Sequence, residues 1–197
     1  EHSLTQYTDV IVRQTEDLRR IVDEFSKFAR MPKPERMSAD IINLIEDVIY
    51  LEKSRENQVS NIIFEKSDPL YLTIDASMIS QCVTNLLKNA GEAIEAFINK
   101  FGKENYQPTI SVTLKNLKKE IIICISDNGI GLPKDRSRLF EPYVTTREKG
   151  TGLGLPIVKK IIEEHGGEFY LEDALKINDD NHNGACAKIK FLKRELE

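Results

Sequence analysis

Two glycine clusters, each joined to an apolar run of a different period, constrain this chain more than any other feature. The first, Asp127-Asn128-Gly129-Ile130-Gly131, follows the run Ile121-Ile122-Ile123-Cys124-Ile125. A short unbroken run of branched residues reads as a strand, so a carboxylate sits at a strand end. The glycines after it let the backbone take positive φ or pass close to a ligand. The second cluster, Gly150-Thr151-Gly152-Leu153-Gly154-Leu155, opens a helical pattern in Leu153, Leu155, Ile157, Val158, Ile161 and Ile162. The first turn of a helix presents unpaired N–H groups and the positive end of its dipole to an anion. An acceptor for a base amine at one end and donors for phosphates at the other imply a nucleotide site. The G-x-x-x-x-G-K-[ST] loop is absent, and G-x-G-x-x-G fails because Lys134 stands where the third glycine belongs.

The rest of the chain supports an ordinary globular domain. It has 197 residues, 40% hydrophobic and 30% charged, enough for one domain with a helical appendage. A net charge of −4 argues against nucleic acid as the main partner. No apolar run reaches bilayer length and no secretory signal is visible. Cys82, Cys124 and Cys186 are far apart among apolar residues and read as buried, reduced thiols. His2, His165 and His182 lack metal-ligand spacing.

In chain order, Leu4, Ile11, Leu18 and Phe25 recur every seven residues, and Tyr7, Gln14, Ile21 and Phe28 form a second such series. This heptad seam predicts a long helix that needs partner helices, or one that lies on the domain's own core. Pro32 and Pro34 end it and mark the domain boundary. Ser38 is expected to cap a helix with an apolar face from Ile41 to Leu51. Residues 61–65 and 70–74 read as paired strands around Ser67-Asp68-Pro69. Asp75 caps a helix reaching about Lys100, and 109–114 and 120–126 form two further strands. Residues 132–149 read as a mobile, basic loop. A helix from Leu155 to His165 ends at Gly166-Gly167, and strands at 168–172 and 185–192 complete the count. The order predicts an α+β fold: a two-layer α/β sandwich, with a mixed, mainly antiparallel sheet and helices on one face, preceded by a long N-terminal helix.

On the helix after Asp75, Asn85, Asn89 and Glu92 share one face by i, i+4 and i+7 spacing, while Leu86, Leu87 and Ala90 point to the core. One asparagine alone is better read as an ordinary polar position. Joined to the two glycine clusters, the stripe gains meaning. Asn85-Leu86-Leu87-Lys88-Asn89-Ala90, Asp127 to Gly131, Leu139-Phe140-Glu141-Pro142-Tyr143 and Gly150 to Leu155 resemble, in order, the N, G1, F and G2 boxes of sensor histidine kinases. Residues 36–193 thus resemble the catalytic, ATP-binding domain of that family, within the GHKL ATPase group. The first helix, with Phe25-Ser26-Lys27-Phe28-Ala29-Arg30-Met31-Pro32-Lys33-Pro34, resembles the second dimerisation helix of NtrY-like kinases, sensors linked to nitrogen regulation. The implied division is 1–33 as part of a dimerisation and phosphotransfer domain and 34–197 as the catalytic domain.

The resemblance implies a role for each residue. Asp127 accepts the adenine amine, and Gly129, Ile130 and Gly131 line the base. Asn89 binds Mg2+, with Asn85 and Lys88 near the phosphates. Gly150, Thr151, Gly152, Leu153, Gly154 and Leu155 cradle the phosphate chain. Thr145, Thr146 and Arg147 lie towards the γ-phosphate, where a guanidinium neutralises developing charge. Asn85 stands where ATPases of the wider group carry a water-activating glutamate, and an amide cannot act as a base. That favours transfer to histidine over hydrolysis, with an ATPase or a nucleotide-dependent interaction module as the competing readings. The family's acceptor pattern, a histidine followed by an acidic residue and Asn/Thr-Pro, is expected on a helix before residue 1, so no autophosphorylation is expected of this chain in isolation. Gly184-Ala185-Cys186 fills the last box without the hydroxyl many relatives carry there. The implied partners are ATP, the histidine-bearing dimerisation helix and a response regulator receiver domain. The parent is implied to be a homodimer anchored in a membrane, with this portion cytoplasmic.

Overall fold

A computed structural model describes residues 2–54, 60–65, 68–144, 151–175 and 184–193. Helix α1 runs His2–Ala29, and β1 (Met37–Asp40), α2 (Ile41–Lys53), β2 (Asn61–Phe64) and β3 (Tyr71–Ile74) follow. Then come α3 (Ala76–Phe101), β4 (Thr109–Asn116), β5 (Glu120–Asp127), α4 (Gly154–Glu164), β6 (Gly167–Asp173) and β7 (Ala185–Leu192). Five strands form one sheet in the order β2-β4-β5-β7-β6, with β2 parallel to β4 and the other pairs antiparallel.

Alternation along the strands separates two faces. Ile121, Ile123, Ile125, Ile189 and Phe191 are buried against α2, α3 and α4, while Ile122, Cys124, Ser126 and Lys188 point to the other side. The expected two-layer sandwich is therefore present. No described helix is long and apolar enough to cross a membrane.

Three local expectations are corrected. Residues 61–64 and 71–74 are strands, but they do not pair: β2 joins β4, and β3 joins β1 in a separate two-stranded sheet. Ser38 sits inside β1 opposite Thr73, and Asp40 caps α2. Its Oδ1 accepts from Ile42 N at 3.0 Å and from Leu70 N at 3.1 Å, so one carboxylate holds a helix start and the chain beside it. The cysteines are the third. Cys82 is buried as expected, but Cys124 and Cys186 are half-exposed on the outer face of the sheet.

Helix α1 does not lie on the domain's own core. Tyr7, Ile11 and Leu18 are each about two-thirds exposed, so the seam is uncovered along these positions. Met31 packs against the core, and Glu35 N donates to Asp75 Oδ2 at 2.9 Å, which ties the segment after the prolines to the cap of α3.

His165 closes the far end of α4. It is fully buried; Asp75 N donates to its Nε2 at 3.1 Å and its Nδ1 donates to the Ile161 carbonyl at 2.7 Å. Those contacts require the neutral ring protonated on Nδ1. Burial and the Arg36 charge hold the imidazole below its usual value, against the Ile161 hydrogen bond and the charges of Asp75 and Glu164. The unfolded chain therefore takes up this proton first as pH falls. Stability is full above the unfolded value of about 6.5 and declines below it, by up to about 1.4 kcal/mol per pH unit. Urea unfolding at pH 7.5 and 5.5 should show that loss in the wild type and a smaller one in His165→Gln. Equal losses in the two proteins would remove His165 as the cause.

Candidate nucleotide site

The site is assembled from the middle of α3, the end of β5 and the starts of α4 and β7. Asp127, the last residue of β5, is 5% exposed, and its Oδ1 accepts from Gly129 N at 2.8 Å and from Ala185 N at 3.4 Å. One carboxylate thus shapes the loop after β5 and joins it to β7. The loop is bound to α3 as well, because Ile130 N donates to the Ala93 carbonyl at 3.0 Å. A Cβ on Gly129 would lie 2.5 Å from the Ala93 carbonyl carbon, so only glycine permits that approach. Gly131 has φ of 78°, and Ile130 is 42% exposed at the tip.

Asn128 carries the support beneath the loop. Its Oδ1 accepts from Thr109 N at 2.9 Å and Tyr106 Oη at 3.0 Å, and its Nδ2 donates to the Gln107 carbonyl at 2.8 Å. Tyr106 also donates to the Asn128 carbonyl at 2.9 Å. Sequence reasoning passed over Asn128, although its place between Asp127 and Gly129 was a signal. Nothing local pointed to Tyr106, whose partner is reached only through the fold.

On α3, Asn85 and Asn89 are half-buried on the stripe that the spacing predicted. Lys88 is exposed and pairs along the helix with Glu92 at 3.9 Å, a surface contact of small energy. The α4 N-terminus comes to this stripe: a Cβ on Gly154 would lie 3.8 Å from Asn89 Nδ2 and 4.0 Å from Oδ1. The helix begins after Leu153, which is fully buried and has no polar side chain to cap it. Its first turn, at Gly154, therefore lies beside Asn89.

Thr151 and Gly152 lead into that turn. Gly152 has φ of 69°, and a Cβ there would meet the Tyr143 backbone at 2.7 Å. Tyr143 itself has φ of 66°, an uncommon conformation for a non-glycine residue. Its ring stands 6.0 Å from that of Phe25 on α1. The expected basic loop is partly anchored here: Phe140 packs edge-on against Phe169 at 5.7 Å, Arg136 pairs with Asp173 at 2.6 Å and Arg138 with Glu141 at 2.8 Å. Thr145, Thr146, Arg147, Lys149 and Gly150 lie outside the described residues.

Gly184 opens the last and loosest of the sequence boxes. A Cβ on it would fall 1.9 Å from the Asp127 carbonyl oxygen and 2.8 Å from Asn128 Cα, so it is the contact through which β7 passes the Asp127 loop. Among the described residues no group of three or more His, Cys, Asp or Glu is placed to hold a metal. A cation in this cleft would rely on amide oxygen and on oxygens brought by the ligand. Asn89 fits that need, and the glycine-led first turn of α4 fits a phosphate beside it.

A sandwich in which a strand-end carboxylate, an amide-bearing helix and a glycine-led helix start meet is the architecture of one ATPase class. The chain belongs to the family described as histidine kinase-, DNA gyrase B-, and HSP90-like ATPases, whose model matches residues 74–195. Within it, the chain is 48% identical over 172 residues to the nitrogen regulation protein NtrY of Azorhizobium caulinodans, covering 86% of this chain and 22% of the relative. It is 36% identical over 192 residues to a putative sensor histidine kinase NtrY-like of Rickettsia bellii, covering 97% of this chain and 29% of the relative. The catalytic domain of the histidine kinase ThkA, in a nucleotide-free form, superposes with a TM-score of 0.62 at 28% identity, covering 81% of this chain and 96% of that one. The chain thus spans less than a third of the length of either sequence relative.

Proposed function

We propose that this chain is the ATP-binding part of an NtrY-like sensor histidine kinase and donates the γ-phosphoryl group of Mg-ATP to a histidine on a separate dimerisation helix. The observation that carries the reading is the meeting of Asn89 with Gly154, which brings the amide stripe of α3 against the first turn of α4. Asp127 accepts the adenine amine, with Gly129, Ile130 and Gly131 against the base. Adenine is preferred over guanine because guanine lacks that donor. Asn89 would hold Mg2+, which would supply positive charge to neutralise the phosphate oxygens. Asn85 and Lys88 lie towards the phosphates, and the amides of residues 150–155 cradle them. Thr145, Thr146 and Arg147 complete the γ-phosphate side, with Arg147 supplying charge in the transfer. Residues 1–33 are the second helix of the dimerisation domain and 34–197 the catalytic domain, and the exposed seam of α1 is the face its partner helices cover. The phosphohistidine then serves a response regulator, on the cytoplasmic side of a membrane-anchored homodimer.

Asn85 favours this reading over a water-consuming ATPase, because no carboxylate stands one turn before Asn89 to activate water. The chain, mixed with γ-labelled ATP, Mg2+ and a separately prepared histidine-bearing dimerisation domain, is expected to place label on histidine. Asn89→Ala is expected to abolish that transfer at ATP levels that saturate the wild type. Phosphate release without labelled histidine would indicate the ATPase instead. Tight nucleotide binding with neither product would indicate an interaction module.

A further inference from the structure

The loop that begins at Asp127 is held at a single peptide unit from both sides. Gly129 N donates to Asp127 Oδ1 at 2.8 Å, and the carbonyl of that same unit, on Asn128, accepts from Tyr106 Oη at 2.9 Å. A trans peptide is planar, with its N–H and C=O pointing in opposite directions. The Asp127 carboxylate and the Tyr106 hydroxyl therefore grip opposite edges of one rigid plate. Rotating the plate away from either partner weakens its bond to the other. Gly129, having no Cβ, offers little resistance of its own to such a rotation.

The segment that carries Tyr106 is itself well anchored. Asn128 is 2% exposed, and residues 106–109 engage each of its polar groups. Besides the Tyr106 contacts, its N donates to the Thr109 carbonyl at 3.3 Å, its Oδ1 accepts from Thr109 N at 2.9 Å and its Nδ2 donates to the Gln107 carbonyl at 2.8 Å. Asn61 N, at the start of β2, donates to the Pro108 carbonyl at 2.8 Å and fixes the same segment from its other side. Tyr106 leaves a turn in which Gly102 has φ of 84° and Asn105 φ of 58°, left-handed positions that suit glycine and asparagine. Its ring packs on Phe97 with centroids 4.5 Å apart. The hydroxyl thus reaches the Asp127 loop from a fixed base, in buried surroundings where a hydrogen bond holds more firmly than in water.

We propose that Tyr106 is a positioning residue for base recognition: its hydroxyl sets the peptide between Asn128 and Gly129, and through it the direction of the Asp127 carboxylate. The inference rests on Asp127 being the acceptor of the adenine amine. Tyr106 acts from behind the loop, so its effect falls on what Asp127 reads. The phosphates, served by α3 and the start of α4, are outside its reach. A carboxylate that turns away loses the near-linear approach that a hydrogen bond to the amine needs. Tyr106 is therefore a determinant of selectivity for adenine more than of nucleotide binding as such.

Calorimetric titration of the whole chain with ATP and with purine riboside triphosphate, which is ATP without its base amine, tests the assignment. The wild type should prefer ATP by about tenfold or more. Tyr106→Phe keeps the ring against Phe97 and should lose about tenfold for ATP but no more than about twofold for the analogue. Without nucleotide, NMR should show the Gly129 amide exchanging its hydrogen about tenfold faster in that variant. Ile121→Val trims the core at the far end of β5 and supplies a mildly destabilised comparison, expected to keep the preference and the Gly129 exchange of the wild type. A wild type without preference for ATP would overturn the proposal together with the adenine role of Asp127. A preference that survives in Tyr106→Phe, an equal loss for both nucleotides, unchanged Gly129 exchange, or the same changes in Ile121→Val would overturn the role of Tyr106 alone.

Discussion

Asp127→Asn is expected to lower affinity for adenine nucleotides by about a hundredfold, some 2.7 kcal/mol, while the melting temperature moves by no more than about 2 °C. Asparagine keeps an oxygen for the Gly129 and Ala185 amides, at 2.8 and 3.4 Å from Asp127 Oδ1, so the loop retains its internal ties. What changes is the other end of the group, where an amide donor would meet the donor of the adenine amine. Two facing donors leave a desolvated N–H unpaired, and that penalty exceeds the worth of one ordinary hydrogen bond. Calorimetric titration with ATP and thermal unfolding of both proteins check the two halves. Melting that falls in step with affinity would make Asp127 a structural residue rather than the adenine acceptor.

Gly184→Ala should have the larger effect on folding. The added carbon would sit 1.9 Å from the Asp127 carbonyl oxygen and 2.6 Å from its carbon, and both obstacles are backbone. No rotamer change relieves such a contact, so β7 must draw away from the Asp127 loop. The expected cost is about 3 kcal/mol, or roughly 10 °C in melting temperature for a chain of this size. Gly91→Ala is the matched comparison: its Cβ meets nothing within 4 Å inside α3, where alanine is the better helix former by roughly 1 kcal/mol. Scanning calorimetry should therefore separate the two glycines in opposite directions. A Gly184→Ala protein that melts with the wild type would show that β7 does not pass the loop as described.

Some of this site could be read before any fold was known. Asp127 at a strand end, the Asn85–Asn89 stripe and the glycines that open α4 are local signals, each visible in a few neighbouring residues. The cap of α3 was equally local, since Asp75 accepts from Met78 N three residues on, at 3.1 Å. The cap of α2 was not: Ser38 was the expected cap, and Asp40, which caps instead, is an equally good capping type. Pairing of Met37–Asp40 with β3 removed Ser38 from the choice.

By itself the sequence determined most segments that become helices and strands, β1 excepted, and which residue types stand at the nucleotide loops, because periodicity and glycine placement act within a turn or two of chain. The tertiary structure alone decided that β2 leaves β3 for β4, that Tyr106 props Asn128, that Gly184 grazes Asp127 and that Cys124 and Cys186 share a face. Each of those is a contact between distant segments. Strand partners are selected by whichever apolar faces can be buried together, and no pattern within one strand encodes its partner.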